Sequence, residues 1–119
     1  MQYMLLIYVD EAQAAQADEA SATAVTAEYF DYTRQIQASG NFVDGARLAP
    51  TASATTVRVR DGETLVTDGP YAETKEQLGG FYTVEAADMD EAISLAGRIP
   101  GSRWGVIEVR PLPPMEAPA

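Results

Sequence analysis

The first nine residues form a strand-length apolar run that is apolar on both faces. Alternate side chains of a strand point to opposite faces, which gives two apolar sets: Tyr3, Leu5, Ile7 and Val9, and Met4, Leu6 and Tyr8. This pattern is typical of a strand that is covered on both sides. Because two helices can cover only one face of a small sheet, we expect the other face to pack against a second copy of the chain.

Two later segments have the spacing of amphipathic helices. The first is predicted to begin at an Asp18 cap and to end at Ala38, before Gly40. The second opens with the cap pair Asp88 and Glu91 and closes at Pro100-Gly101. The predicted apolar stripes are Val25, Tyr29, Tyr32 and Ile36 in the first helix, and Met89, Ala92, Ile93, Ala96 and Ile99 in the second. Tyrosines at this spacing indicate core packing rather than ligand stacking.

Five further segments are predicted strands: residues 41–48, 55–60, 63–67, 81–86 and 103–110. Asp61-Gly62 is a two-residue hairpin signal that places Arg60 opposite Glu63. Val57 and Val59 alternate with polar residues, which predicts one buried and one solvated face for that hairpin strand.

The predicted order is strand, helix, strand, hairpin, strand, helix, strand. Without the extra hairpin it is βαββαβ, which predicts an α+β domain of ferredoxin-like type, with both helices on one face of an antiparallel sheet. We expect this domain to span residues 1–111. The proline-rich residues 112–119 are expected to form an extended or disordered tail.

The amino-acid composition limits the kinds of catalytic site, metal site and partner that the chain can have. The 119 residues contain no cysteine and no histidine, which excludes disulfides, thiolate chemistry and imidazole catalysis or ligation. No cofactor or metal site is predicted. With eighteen acidic and eight basic residues the net charge is −10, so nucleic acid and anionic membranes are poor partners. The apolar N-terminal run is too short to span a bilayer and lacks the features of a signal peptide, so a cytoplasmic location is expected.

The most specific stretch is Thr67–Tyr82, TDGPYAETKEQLGGFY. This motif segment resembles the signature of the DGPF-domain branch of the YCII-related family, which usually has Phe in place of Tyr71. The resemblance extends to Tyr3–Tyr8, Thr55–Arg58 and Glu108–Pro111. It implies a ferredoxin-like fold and a homodimer in which two sheets pack face to face as a dimeric α/β barrel.

The same resemblance says less about activity. It is only compositional over residues 11–21. Some relatives in the wider group use a His–Asp pair whose His lies on the first helix, where this chain has Tyr29–Thr33 instead, so that pair is not carried over. The resemblance also implies a regulatory association with a sigma factor.

Three residues of the motif segment are the catalytic candidates: Asp68, Glu73 and Lys75. Asp68 is either an Asx-turn residue, whose carboxylate accepts a backbone N–H two residues on, or a functional carboxylate. Lys75 is the only lysine and lies between Glu73 and Glu76. It is either a base or Schiff-base nucleophile, or part of a solvated charge cluster.

Other residues are weaker candidates. Tyr8, Asp44, Arg47 and Tyr82 are candidates for lining a ligand cavity. Gly79-Gly80 predicts close backbone approach. The acidic cluster at residues 88–91 is predicted to cap a helix rather than to bind metal.

Three functions are compatible with these residues. The favoured hypothesis is a dimeric module that binds a small organic ligand, with a regulatory output. One alternative is an enzyme that acts on a small aromatic or carbonyl compound by carboxylate or lysine acid–base chemistry. The other is a protein-interaction partner that works through its surface.

Overall fold

A four-stranded antiparallel sheet and a separate two-stranded hairpin make up the β-structure of the computed structural model, which describes residues 1–118. The strands are β1 Gln2–Val9, β2 Phe42–Arg47, β3 Thr55–Arg60, β4 Glu63–Asp68, β5 Gln77–Glu85 and β6 Val106–Leu112. The helices are α1 Glu11–Ala14, α2 Glu19–Ala38 and α3 Met89–Gly97, with short 3-10 turns at Thr51–Ser53 and Pro100–Arg103. The α+β class and the antiparallel sheet are as predicted.

The sheet order is β2-β5-β1-β6, so the two-faced first strand lies in the middle. Both long helices pack against one face, which we call the helix face. Its core is closed by fully buried Leu5 and Val84 from the sheet, Ile36 from α2 and Ile99 after α3. The sheet therefore has one face buried by its own chain and one that is not.

Local cap chemistry sets the helix starts. The Asp18 carboxylate accepts a hydrogen bond from the Ser21 N–H at 2.7 Å, and the Asp88 carboxylate accepts one from the Glu91 N–H at 2.9 Å. Each satisfies a donor that the first helical turn leaves free. Gly40 follows α2 with φ +81°, as the helix-stop prediction required.

Three boundaries or faces differ from the prediction. The buried stripe of α3 is Ala92, Leu95, Ala96 and Ile99. Ile93, predicted to be buried, is 54 % exposed because it lies beside this i, i+3, i+4, i+7 stripe rather than on it. β5 begins at Gln77 rather than at Phe81, and β6 runs from Val106 to Leu112, because both pair along β1.

The β3–β4 hairpin has the predicted turn but not the predicted burial. Asp61 and Gly62 have φ +51° and +77°, as a two-residue turn of the primed type needs. Val57 and Val59 are 60 % and 58 % exposed, so the hairpin has no buried face in this chain. Alternation correctly separated the apolar from the polar side, but burial of the apolar side needs a neighbour that a single copy lacks.

Candidate functional site

The second face of the sheet, the open face, carries an apolar floor on which none of the helices of residues 1–118 packs. Its central side chains are Met4, Leu6 and Tyr8 of β1 and Leu78 and Phe81 of β5, each only half-buried. Their β1 neighbours Leu5 and Ile7 point the other way and are buried. The open face is therefore a concentration of large apolar side chains that one copy does not cover.

Three polar side chains run along the β6 edge of this floor, and we call Tyr8, Glu108 and Arg110 the polar corner. The Tyr8 hydroxyl donates a hydrogen bond to Glu108 Oε1 at 3.3 Å. In the β1–β6 ladder Leu6 lies opposite Glu108 and Met4 opposite Arg110, so both charged side chains share the open face with Tyr8. Partial burial raises the pKa of Tyr8, the adjacent Glu108 carboxylate raises it further, and Arg110 acts in the opposite direction. The phenol is thus a neutral donor beside a carboxylate, with a guanidinium farther along the same face.

Close backbone packing fixes the position of this corner. A Cβ added to Gly105, just before β6, would lie 2.2 Å from the Tyr8 carbonyl oxygen, a distance that no side chain can occupy. Glycine at this position lets β6 begin directly beside the end of β1. Neither Gly105 nor Glu108 is predictable as part of the site from the sequence, because their proximity to Tyr8 follows only from the strand register.

The four predicted cavity residues do not share one site. Asp44 lies on the open face opposite Thr83, at the sheet edge, and its carboxylate accepts the Gly45 N–H at 2.8 Å. Arg47 ends β2 opposite Gly80 and is exposed. Tyr82 lies on the helix face and is buried. Tyr8 and Asp44 therefore share a face, whereas Tyr82 is separated from them by the sheet.

Asp68 is the last residue of β4 and its side chain is exposed. The Asx-turn interpretation is wrong: the residue two positions on is Pro70, which has no N–H, and no hydrogen bond within residues 1–118 reaches the Asp68 carboxylate. Gly69 shapes the turn instead, with φ +99°. Its N–H donates to the Ala54 carbonyl at 2.7 Å, and its own carbonyl accepts the Thr56 hydroxyl at 2.8 Å.

Glu73 and Lys75 lie in the motif loop, residues 69–76, and both are exposed. The ion pairs within residues 1–118 include neither of them. The three catalytic candidates therefore form no ion pair with one another within residues 1–118, and their roles stay predictions. At the end of the loop, a Cβ added to Gly80 would lie 2.8 Å from the Ala46 carbonyl oxygen, so the predicted close backbone approach is confirmed there.

Glu11, for which the sequence predicts no role, ties the root of the hairpin and the end of the motif loop to α1. The Glu11 carboxylate accepts the Thr51 N–H at 3.0 Å and its hydroxyl at 2.8 Å. The Glu11 N–H in turn donates to the Gln77 side-chain oxygen at 3.0 Å. These bonds fix where the hairpin leaves the sheet, at the same end as Tyr8. No sequence motif signals them, because they join segments 40 and 66 residues apart.

Two further findings concern the acidic side chains and the helices of the described residues. Across residues 1–118, no three acidic side chains lie close enough together to share a metal ion. None of the helices in that range has the length and apolar character needed to cross a membrane.

The sequence model of the YCII-related domain matches residues 1–116. The chain belongs to the YCII-related family. An uncharacterised protein of Rhizobium meliloti (strain 1021) is 40% identical over 114 residues, which are 94% of this chain and 92% of that protein. The relative shares most of the chain, and the range matched by the family model includes the hairpin.

A solved structure of similar fold is 5-chloro-2-hydroxyhydroquinone dehydrochlorinase from Burkholderia phenoliruptrix AC1100, in complex with 2,5-dihydroxybenzoquinone. It aligns with a TM-score of 0.54 over 95% of this chain and 94% of that chain, at 15% identity. At 15% identity the similarity shows the fold alone. It supports a ferredoxin-like type of fold for this YCII-related domain.

In this YCII-related chain Tyr29, Tyr32 and Thr33 of the helical region 29–33 face the core, whereas Phe30 and Asp31 are exposed. The Tyr32 hydroxyl donates to the Leu95 carbonyl at 2.7 Å, and the Tyr29 hydroxyl accepts the Gly101 N–H at 3.1 Å. The Tyr82 hydroxyl and Thr33 Oγ1 are 2.7 Å apart. Burial raises the pKa of Tyr29, Tyr32 and Tyr82. Every hydroxyl here has a structural partner, so Tyr29 and Tyr32 hold α2 in the core, as the stripe predicted. Tyr82, predicted to line a ligand cavity, belongs to the same core.

Proposed function

We propose that this YCII-related protein is a homodimer that holds a small oxygenated aromatic ligand against the open face of its sheet. The observation that carries the proposal is the juxtaposition on that face of an uncovered apolar floor with the Tyr8–Glu108–Arg110 corner. A floor of this kind suits a flat apolar ring, and the corner suits the ring's oxygen substituents.

The floor supports the choice of an aromatic ring. Leu6 and Phe81 lie directly opposite each other in the middle of the sheet, and Tyr8 lies opposite Leu78. Side chains of this size on adjacent strands form a continuous apolar surface, and a ring placed on it gains roughly 25 cal/mol for each Å² of apolar area removed from water.

The corner supports the choice of oxygen substituents. Neutral Tyr8 can donate to a carbonyl or phenolate oxygen, Glu108 can accept from a ligand hydroxyl, and Arg110 attracts a negatively charged oxygen. The dehydrochlorinase of similar fold is described with 2,5-dihydroxybenzoquinone, a flat ring with both hydroxyl and carbonyl oxygens. That compound therefore serves as the first probe of the proposed site.

The dimer closes the site. Large half-buried side chains such as Met4, Leu6 and Phe81 in the centre of a sheet face mark an interface. A two-fold pairing would bury the same face of both copies and exclude water from the floor. Binding rather than catalysis is favoured because the sequence has no histidine or cysteine, and because Asp68, Glu73 and Lys75 lie exposed and unpaired with one another in a single copy.

Titration calorimetry with 2,5-dihydroxybenzoquinone and related hydroxylated benzoates tests the proposal. We expect Tyr8→Phe and Glu108→Gln each to weaken binding roughly five- to tenfold, the equivalent of one lost hydrogen bond of about 1 kcal/mol. Glu63→Gln, the same charge change at the hairpin turn, is the matched control and should bind as the wild type does. Unchanged affinity in both open-face variants, or no binding of any compound by the wild type, would contradict the proposed site.

A further inference from the structure

The β3–β4 hairpin is the part of the molecule that the proposed function leaves without a role. Val57 lies opposite Val66, and Val59 opposite Thr64, so the three valines share one side of the hairpin, its valine face. Val57, Val59 and Val66 are 60 %, 58 % and 63 % exposed, and no hairpin residue belongs to the hydrophobic core. An isolated two-stranded hairpin is marginally stable in water, so the valine face needs a covering surface.

The opposite side of the hairpin is not a candidate for the same burial. It carries Arg58 and Arg60, whose charges are costly to remove from water. The Arg58 guanidinium lies 5.4 Å from the centre of the Tyr71 ring, so the motif loop lies on this side. The valine face is consequently the side left free to dock.

The shape of the chain indicates what covers the valine face. The Cα radius of gyration is 16.7 Å, whereas a compact chain of this length has about 13.5 Å. The extents are 52 × 48 × 19 Å, and 19 Å is the thickness of one sheet plus one helix layer. The hairpin therefore extends sideways within this slab, beside the open face, and a second copy docked on the open face meets the hairpin as well.

The area of the open face also indicates that a second copy of the chain covers the valine face. Four strands spaced by about 4.8 Å, with about seven residues at ~3.3 Å each, cover roughly 440 Å². A standard interface buries about 800 Å² on each partner, and obligate homodimers bury more. The two hairpin strands add a footprint of roughly 190 Å² per copy, continuous with the proposed interface.

We propose that the β3–β4 hairpin is an arm that packs its valine face against a second copy of this chain. The proposal rests on the proposed homodimer and extends it. Because Gly69 is hydrogen-bonded to Ala54 and Thr56 at the hairpin root, the arm carries the start of the motif loop with it. The surface that faces Asp68 and its loop is then supplied by the other copy, which accounts for the lack of partners for Asp68 within residues 1–118.

The absence of cysteine in the sequence allows a direct test with single-cysteine variants. Val57→Cys and Val66→Cys report on the valine face, and Leu65→Cys, on the arginine side and 45 % exposed, is the matched control. In a single copy the valine positions are the more exposed, so they should react with a maleimide at least as fast as the control. The arm predicts the reverse order, with labelling at least tenfold slower than at Leu65→Cys, and equal rates for all three in urea.

A second measurement separates the arm from the open-face dimer. We expect Val57→Asp to weaken dimerisation at least tenfold in sedimentation equilibrium, while Leu65→Asp leaves it unchanged and both keep the wild-type circular dichroism spectrum. Dimeric protein whose valine-face cysteines label as fast as Leu65→Cys would overturn the arm and leave the open-face dimer standing. If Val57→Asp is monomeric and Leu6→Asp stays dimeric, the result would support the arm and overturn the open-face pairing. A monomeric wild type would overturn both.

Discussion

The two faces of the central sheet differ in what covers them, although the same strands build both. On the helix face Leu5 is fully buried against α2 and α3. On the open face its neighbour Leu6 is half-buried and meets no helix. Both are leucines in one strand, so the difference comes from the neighbours that the fold supplies. The helix face completes the monomer, and the open face, with the hairpin beside it, is available for a partner and a ligand.

The largest predicted contrast is between alanine substitutions at those two leucines. Leu5→Ala removes buried methyl groups and leaves a cavity, so we expect it to lower the free energy of unfolding by about 3 kcal/mol. Leu6→Ala should cost under about 1 kcal/mol at protein concentrations low enough to keep the chain monomeric. Urea denaturation of both variants measures this contrast. Equal losses would mean that the open face is buried within one copy.

Alkaline pH should weaken the packing of the helix face. Tyr32 and Tyr82 are buried there and their pKa values are raised, so the folded chain keeps protons that the unfolded chain loses above about pH 10. Their stabilising effect is full below that pH and is lost as the pH rises towards the folded-state pKa values. Each contributes a slope of at most about 1.4 kcal/mol per pH unit. Unfolding curves at about pH 8, 10 and 11 should show this loss, and Tyr32→Phe should make it less steep.

Removing a tyrosine hydroxyl should also lower the unfolding free energy more on the helix face than on the open face, but the difference should be smaller. Tyr82→Phe leaves Thr33 without its hydroxyl partner inside the helix face, and we expect a loss of about 1 kcal/mol in unfolding free energy. Tyr8→Phe removes a 3.3 Å bond to an exposed carboxylate and should leave monomer stability within about 0.5 kcal/mol. The same chemical change on the open face would thus affect ligand binding rather than folding. Matching stability losses would contradict this division.

The smallest expected effect is at Asp68. Its carboxylate is exposed and accepts no hydrogen bond within the described chain, so Asp68→Ala and Asp68→Asn should both unfold within about 0.5 kcal/mol of the wild type. A loss near 1 kcal/mol for alanine alone would restore a structural role in the turn. Unchanged stability with weaker ligand binding would identify Asp68 as a functional carboxylate.

Local chemistry was readable from the sequence, whereas features set by distant pairing were not. The Asp18 and Asp88 caps and the Asp61-Gly62 turn depend on residues within three positions, and all were predicted correctly. The two-faced β1 pattern identified Tyr8. Its partner Glu108 is 100 residues away, and the β1–β6 register alone brings the two together.

The remaining errors have separate physical causes. Ile93 was assigned to the core because helical spacing alone allows two neighbouring stripes, and the packing of α3 on the sheet selects the one that contains Leu95. The exposure of Val57 could not be predicted, since alternation states which side is apolar but not whether anything covers it. The Asx-turn prediction for Asp68 is wrong for a local reason, because Pro70 has no N–H to donate.

The central claim is that the open face of the sheet is an interface between two copies. Sedimentation equilibrium at micromolar concentration tests it most directly, with the wild type and Leu6→Asp compared side by side. We predict a wild-type mass of twice the 12.8 kDa chain, and a monomer mass with a folded circular dichroism spectrum for Leu6→Asp. A wild type that sediments as a monomer, or a Leu6→Asp variant that stays dimeric, would contradict the claim.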